Sequence, residues 1–485
     1  MTPTDIRKRR TKIVATLGPA SSSEEVISDL ITSGVNVFRL NFSHGTHKQH
    51  RKNAETVRVL SRKHNRHVGI LGDLQGPKIR IGELQTDSLE LVNSQILTLT
   101  TNISTADSTK GRIHVAYPDL PLSVLTNDTL LLDDGLIRLQ VLSVSGEEVV
   151  CEVIQAGRLK SRKGLNRLGG GLSADAITPK DLEDLQVIID LDLEYVAVSF
   201  PCCGDDLLPV KDALRTASST IKIIAKIERA EAVETEEKVK ELIDAADGVM
   251  VARGDLGVEI GDAQLIGIQK RIIRLSRQAN KPVITATQMM ESMINNPVPT
   301  RAEVFDVANA VLDGTDAVML SGETASGKFP AKVVQAMAET ALGAEKHPMM
   351  KQSSYRVDRV FDEINETLAM SAMYAANHVS NVTAIICLTE SGVTPLLTSR
   401  LSSTLPIFGI SPHLPTCRRM ALYRGVIPIY CDVMAGEEED LWSKAMSLIV
   451  ERGALQPGER VAITCGDLHG KGGSTNTLKI LEYKG

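Results

Sequence analysis

Aromatic side chains are scarce in this chain: they make up 3% of it and include a single tryptophan, Trp442. A protein that holds single-stranded nucleic acid by stacking needs aromatic platforms, so that class is disfavoured. Surplus positive charge is also missing, because 54 Lys and Arg stand against 60 Asp and Glu, for a net charge of −6. Bulk electrostatics therefore draws neither nucleic acid nor an anionic membrane, and neither is expected as a partner. The seven cysteines (Cys151, Cys202, Cys203, Cys387, Cys417, Cys431 and Cys465) contain no CxxC pair. Their odd number and irregular spacing argue against a disulfide framework or a thiolate zinc site, and reduced, buried thiols in a cytoplasmic protein fit better. The start, MTPTDIRKRRTK, has no apolar signal core, and no run reaches the roughly 18 apolar residues of a membrane span.

What is present is length. At 485 residues the chain holds roughly three domains of about 150 residues, which excludes a minimal binding module. Hydrophobic and charged residues, at 42% and 24%, are ordinary for a globular protein, so position matters more than amount. From residue 11 to about 73, short apolar runs (12–17, 35–41, 67–73) alternate with amphipathic, helix-compatible stretches (24–33, 46–64). Buried parallel strands read as such continuous runs. From Gly76 to about Gly170 the pattern changes to alternating β-type segments (89–100, 112–117, 129–133, 136–144, 148–154), with Asp134-Gly135 and Ser145-Gly146 as hairpin dipeptides. After Gly169-Gly170-Gly171 the first rhythm resumes, with strands at 195–200, 221–227, 248–252, 282–287 and 317–320 and helices at 179–190, 231–246, 263–279 and 302–313.

Eight βα units close a (β/α)8 barrel. The expected fold class is thus α/β: a TIM barrel formed by 1–75 and 171–345, interrupted after its third strand by a small all-β domain over 76–170. Residues 346–485 form a smaller α/β domain with a mostly parallel sheet, from a helix at 361–379 and strands at 383–389, 406–411, 426–432, 460–466 and 476–483.

In such barrels the chemistry gathers at the carboxyl ends of the strands. Those ends carry Arg39, Asn41 and Ser43, then Asp73, Ser199, Lys226 and Glu228, Arg253 and Asp255, Thr287, and lastly Ser321 and Glu323. Three cations facing four carboxylates do not make a pocket for an apolar ligand. Glu228 and Asp255, hard oxygen donors on adjacent strands with no His nearby, suit Mg²⁺ better than zinc. Lys226 lies two residues before Glu228, on the same face of an extended strand, where an ammonium clamps a transferring phosphoryl group. A structural Lys-Glu pair is the plainer alternative.

Long consecutive motifs then carry a resemblance. KIVATLGPAS, NVFRLNFSHG, GDLQGPKIR, AKIERAEAV, VMVARGDLGVEI, ITATQMMESMINNPVPTRAEVFDVANAVLDGTDAVMLSGETA and TESG, in order from about residue 11 to 483, closely resemble the pyruvate kinase family. The resemblance implies a barrel, an inserted β lid and a C-terminal regulatory domain in a homotetramer. It implies transfer of phosphate from phosphoenolpyruvate to ADP, giving ATP and pyruvate. By it, Glu228 and Asp255 hold Mg²⁺, with Mn²⁺ able to replace it, and Lys226 stabilises the moving phosphoryl group. The backbone of Ala252, Arg253, Gly254 and Asp255, with Thr287 and Ser199, binds the substrate, and Arg39 contacts its phosphate. Arg80, Lys163, Asn41 and His44 face the nucleotide phosphates. Thr287, Ser321 and Glu323 are the candidates to position the water that protonates the enolate.

Many members carry Glu in the GPxIR stretch and use K⁺ near positions matching Asn41, Ser43 and Asp73. Here Lys78 occupies that place, so a tethered ammonium replaces the ion and K⁺ is not required. In the last domain, Thr389, Ser391, Gly392 and Thr394 resemble the loop that binds a phosphorylated effector, and Gly472-Gly473-Ser474-Thr475 resembles part of its cover. Val393 departs from the usual Arg or Ser, which points to a sugar monophosphate or AMP rather than a bisphosphate.

Other features read more plainly. Arg7-Lys8-Arg9-Arg10 is a solvated terminus, and His44, His47 and His50 are a helix surface with His44 beside the rim motif. Gly169-Gly170-Gly171 is a hinge, since it lacks the ending of a phosphate loop. Met289, Met290 and Met293 are packing residues. Two rivals stand: another barrel enzyme of phosphoenolpyruvate or pyruvate, such as an aldolase or mutase, and an inactive sugar-phosphate sensor.

Overall fold

The structure, a computed structural model, describes residues 9–172, 176–350, 358–401, 403–431, 438–466 and 475–485. The continuous apolar runs form barrel strands because both of their faces are covered. Strand β1 (Lys12–Leu17), β3 (Gly69–Asp73) and β6 (Gly248–Ala252) are buried at every position. With β2 (Val37–Asn41), β4 (Tyr195–Val198), β5 (Lys222–Ile227), β7 (Val283–Ala286) and β8 (Ala317–Leu320) they close into one parallel barrel, β1 pairing with both β2 and β8. Hydroxyls set the helix starts between them. Thr178 and Thr300 each form a reciprocal capping box, with Asp181 and Glu303 respectively.

Between β3 and β4 lies the insertion, where burial alternates. Ile137–Ser145 and Glu148–Gln155 bury one face only, as expected for antiparallel strands around a separate core of Leu97, Leu99, Leu130, Leu139 and Val153. Six strands form its main sheet, and Leu89–Leu91 with Gly157–Leu159 make a second, two-stranded one. The expected strand 89–100 is divided because Ser94 turns the chain at φ +64. The short strands Gly157–Leu159 and Leu165–Arg167 were not anticipated, being too short for a periodic signal. Likewise the helix expected over 231–246 is two, Ala230–Val233 and Glu236–Ala245, because Thr235 adopts extended backbone and caps the second.

The C-terminal sheet runs in the order Val426–Tyr430, Ile407–Ser411, Val382–Leu388, Arg460–Gly466, Thr475–Glu482, all parallel but the last. It docks on the amino-terminal end of the barrel. The apolar interior of the barrel (Val14, Leu71, Ile224, Met250) is continuous with Met373, Ile385, Leu401 and Met420 of this domain. Around that apolar plug stand polar ties. Arg400 pairs with Asp316, Arg418 Nε lies 2.6 Å from Glu194, and Tyr195 donates to the Arg419 carbonyl at 2.7 Å. The opposite, carboxyl end of the barrel is left for chemistry. Among the described residues no helix is long and apolar enough to cross a membrane.

Candidate active site

The carboxyl rim draws most of the strand-end residues into one connected cluster. Asp73, at the end of β3 and 1% exposed, accepts from Arg39 Nε at 2.6 Å and lies 3.4 Å from Lys226 Nζ. Lys226 donates to Ser199 Oγ at 2.7 Å, and its ammonium is 3.4 Å from Glu228 Oε2. The expected common face of Lys226 and Glu228 is thus observed. Ser199 in turn donates to the Leu74 carbonyl at 2.7 Å. Burial opposes the charge of Lys226, but Asp73 and Glu228 outweigh it and raise its pKa. Asp73 behaves in the converse way: Arg39 and Lys226 overcome its burial and hold it below the usual carboxylate range.

Glu228 is the least compensated member. One oxygen accepts from the Phe200 amide at 2.8 Å, while Oε2 is buried with no hydrogen bond and, among the described residues, only the ammonium of Lys226 within ion-pair range. Burial, offset by Lys226 but reinforced by Asp255 and Asp73, pushes its pKa up to about 7. A buried acceptor left open beside a second carboxylate is what a hard cation site requires.

Asp255 stands on the helix Arg253–Ile260, which starts directly after β6. It accepts from Lys78 Nζ of the inserted domain at 2.8 Å, and Lys78 also reaches Asp134 of that same domain at 3.6 Å. That bridge was missed by sequence reading, which saw in Asp134-Gly135 a hairpin and nothing more. Thr287 has φ +68, unusual for a β-branched residue, and its Oγ1 accepts from the Gly254 amide at 2.7 Å. Phe200 and Gln288, also on this rim, have φ +61 and +52. Such strained backbone clusters at functional sites.

Some expected residues are placed differently. The Arg253 side chain turns away from the rim cluster, donating to the Thr287 carbonyl at 2.6 Å and to Asp306 at 2.8 Å, so only its backbone lies at the helix start. Glu323 is buried and accepts from the amides of Met290 (3.1 Å) and Ser321 (2.7 Å), which ties two rim loops together. His50 is not on a helix surface: it is buried against the Phe42 ring at 4.3 Å, and its Nε2 contacts the His44 carbonyl. His47 is paired with Asp184 at 2.6 Å, and His44 is exposed just past Asn41 and Ser43. Met289, Met290 and Met293 are buried packing residues, as expected.

Arg80 and Lys163 come together where the chain enters and leaves the inserted domain. Arg80 bridges Gly164, the Ile81 amide donates to the Lys163 carbonyl at 2.9 Å, and Lys163 pairs with Asp133 at 2.7 Å. At these crossings Gly76, Gly169, Gly170 and Gly171 all have positive φ. A Cβ on Gly76 would lie 2.8 Å from Ser199 Cβ and 3.0 Å from the Phe200 ring, beside the partners of Lys226 and Glu228. Gly76→Ala is therefore expected to lower kcat/KM about tenfold or more, since about 1.4 kcal/mol of misplacement suffices. Steady-state kinetics equal to the parent enzyme would rule out that tight coupling.

In the C-terminal domain Thr389 Oγ1 accepts from the Gly392 amide at 2.9 Å, and buried Thr394 shares a 2.6 Å bond with Thr475. The Gly392 amide is consequently already held within the loop. Ser391 and Val393 are exposed at its tip. Gly472, Gly473 and Ser474 lie outside the described residues.

Residues 8–334 match the family described as "Pyruvate kinase, barrel domain", and residues 366–481 match "Pyruvate kinase, alpha/beta domain". The chain belongs to the pyruvate kinase family. It is 52% identical over 476 residues to a pyruvate kinase of Buchnera aphidicola subsp. Baizongia pistaciae, covering 98% of this chain and 99% of the relative. It is equally 52% identical over 475 residues to pyruvate kinase II of Salmonella typhimurium, with 98% and 99% covered. A solved pyruvate kinase of Cryptosporidium parvum superposes with a TM-score of 0.92 at 34% identity, over 99% of this chain and 98% of that one. The chain is thus a phosphotransferase of the pyruvate kinase kind, using phosphoenolpyruvate, ADP or ATP and pyruvate. The aldolase, mutase and inactive-sensor readings are not favoured.

Proposed function

We propose that the rim cluster moves the phosphoryl group of phosphoenolpyruvate to ADP in the cytoplasm, with Lys226 as the clamp. The single observation that supports it most is the Lys226 ammonium held between Ser199, Asp73 and Glu228 at the carboxyl mouth. Arg39, aligned by Asp73, presents its guanidinium to the phosphate. The amides at the start of Arg253–Ile260, with the Thr287 hydroxyl, face the substrate carboxylate. Lys226 compensates the charge that spreads over the phosphoryl oxygens in transit. Arg80, Lys163, Asn41 and His44 meet the nucleotide when the lid, residues 76–170, closes on the barrel of 1–75 and 171–345. Thr287, Ser321 and Glu323 border the place where the enolate is protonated.

Family members depend on Mg²⁺. The residues present fit it, because the open Oε2 of Glu228 and the carboxylate of Asp255 are hard donors and no third metal-type ligand joins them among the described residues. When bound, Mg²⁺ or Mn²⁺ supplies positive charge that orients and neutralises the phosphate oxygens.

Lys78 carries the potassium-independent reading as a fixed positive charge at the rim, paired with Asp255 and Asp134 and not with Asn41, Ser43 and Asp73; burial opposes that charge, but the two carboxylates outweigh it and raise its pKa. Turnover of phosphoenolpyruvate with ADP and Mg²⁺ is expected to persist in potassium- and sodium-free buffer. A loss of orders of magnitude, restored by KCl, would refute both the tethered charge and its assignment to Lys78.

For residues 346–485 we read an effector site at Thr389, Ser391, Gly392 and Thr394, which takes a sugar monophosphate or AMP. Saturation with phosphoenolpyruvate is expected to shift leftward on adding one of them, and no shift with either removes this reading. The assembly we propose is a homotetramer. Exposed Phe305 and Val298, apolar surface on the barrel, support an interface there, and a monomer mass in light scattering would contradict it.

A further inference from the structure

A second cationic site lies on the far side of the barrel from the catalytic mouth. There a cavity of about 70 Å³ opens between the amino-terminal end of the barrel and the C-terminal domain, lined by Arg10, Arg277 and Arg424 together with Met350, Met373 and Ser403. Arg10 comes from the segment before β1, where Arg9 and Arg10 are buried on carbonyls and not solvated as expected from the sequence; Arg277 comes from the end of the helix Asp262–Gln278 and Arg424 from the turn before Val426–Tyr430. Each is anchored on carbonyls. Arg10 donates to Met350 at 3.1 Å, Arg277 to Arg400 at 3.4 Å, and Arg424 to Thr315 at 2.8 Å.

The acids of this region are already committed. Glu345 accepts from the amides of Arg10 and Thr11, and Asp316 accepts from Arg400 and from the amides of Val283 and Arg424. Among the described residues, Glu345 and Asp316 are thus the carboxylates that meet Arg10, Arg400 and Arg424. Arg424 is only 9% exposed, and its Nη2 is buried with no hydrogen-bond partner. Burial, with the repulsion of Arg10 and Arg277 only partly offset by Glu345 and Asp316, lowers its pKa to about 10. A buried guanidinium nitrogen without an acceptor is costly, and water filling the space supplies a hydrogen bond but no charge.

We infer that this cavity binds a small tetrahedral oxyanion, phosphate or sulfate in class, which Arg424 Nη2, Arg10 and Arg277 hold and which ties the C-terminal domain to the base of the barrel. Arginine forks match such oxygens, and the volume admits a compact ion. This site is separate from both the substrate phosphate site and the effector loop.

The test soaks crystals of the full chain with selenate and locates it by anomalous scattering. In parallel, thermal melts at constant ionic strength compare phosphate with chloride for the parent, Arg277→Gln, Arg424→Gln and the effector-loop variant Ser391→Ala. Selenate between the three arginines is expected. Apparent phosphate affinity in the melts is expected to fall at least about tenfold in Arg277→Gln, the loss of one charge-assisted bond, while Ser391→Ala keeps it. Arg277 is half-buried, so Arg277→Gln is expected to fold even where Arg424→Gln does not. Selenate only at the catalytic mouth or the effector loop, or equal phosphate stabilisation of parent and Arg277→Gln, overturns the inference.

Discussion

Lys226→Met abolishes turnover while leaving a folded enzyme: kcat is expected to fall at least about 10³-fold, the scale of removing a cation from a phosphoryl-transfer transition state. Methionine nearly matches the lysine in length and fills its space, so the barrel wall stays packed. What is lost is the charge between Ser199, Asp73 and Glu228. Asp73 retains Arg39 as a partner, whereas Glu228 loses the ammonium that stands within ion-pair range of it, so a modest drop in the melting temperature accompanies the loss of activity. Lys226→Arg keeps the charge on a wider, planar head and should restore part of kcat but not all. The coupled assay reads both variants, and circular dichroism verifies the fold. Near-normal kcat in Lys226→Met would eliminate the clamp role.

The second large effect is structural and lies at the other end of the barrel. Arg400→Leu is expected to destabilise the chain by about 3–5 kcal/mol, because a buried ion is left without its partner. Arg400 is 2% exposed; its Nη1 donates to Asp316 Oδ2 at 2.8 Å and to the Lys281 carbonyl at 2.9 Å. Asp316 sits immediately before β8 and is wholly buried, so removal of the guanidinium strands a carboxylate where the two domains meet. Arg460, paired with Glu482 on the exposed sheet edge, is the control, and Arg460→Leu should leave the urea midpoint nearly unchanged. Equal midpoints for the two variants would contradict this ranking.

Much of the catalytic end was legible because barrel strands announce themselves as uninterrupted apolar runs that stop at a polar residue. Arg39, Asp73, Ser199, Lys226 and Glu228 each follow that rule, and the structure draws them into one cluster. Arg253 obeys the same rule and points elsewhere, since nothing in a linear pattern tells whether a side chain leans inward or across to Asp306 on the helix Arg301–Asp313. The Lys78–Asp255 contact joins the inserted domain to the barrel, and the Glu323 bonds to Met290 and Ser321 are backbone matters, so neither leaves a periodic trace. His50 was misjudged because helical spacing with His44 and His47 looked like one solvent face, whereas Phe42 provides a ring for it to pack on. The arginine-lined seam was invisible for the same reason as the lid contact: Arg10, Arg277 and Arg424 converge only after the C-terminal domain docks.

The most direct measurement of the central claim is ³¹P NMR of the purified enzyme with phosphoenolpyruvate, ADP and Mg²⁺. The phosphoenolpyruvate resonance should be replaced by those of ATP, one ATP for each pyruvate formed, with no conversion when ADP is withheld and none by Lys226→Met. Release of inorganic phosphate in place of ATP, or pyruvate formed without ADP, would contradict phosphoryl transfer by this rim cluster.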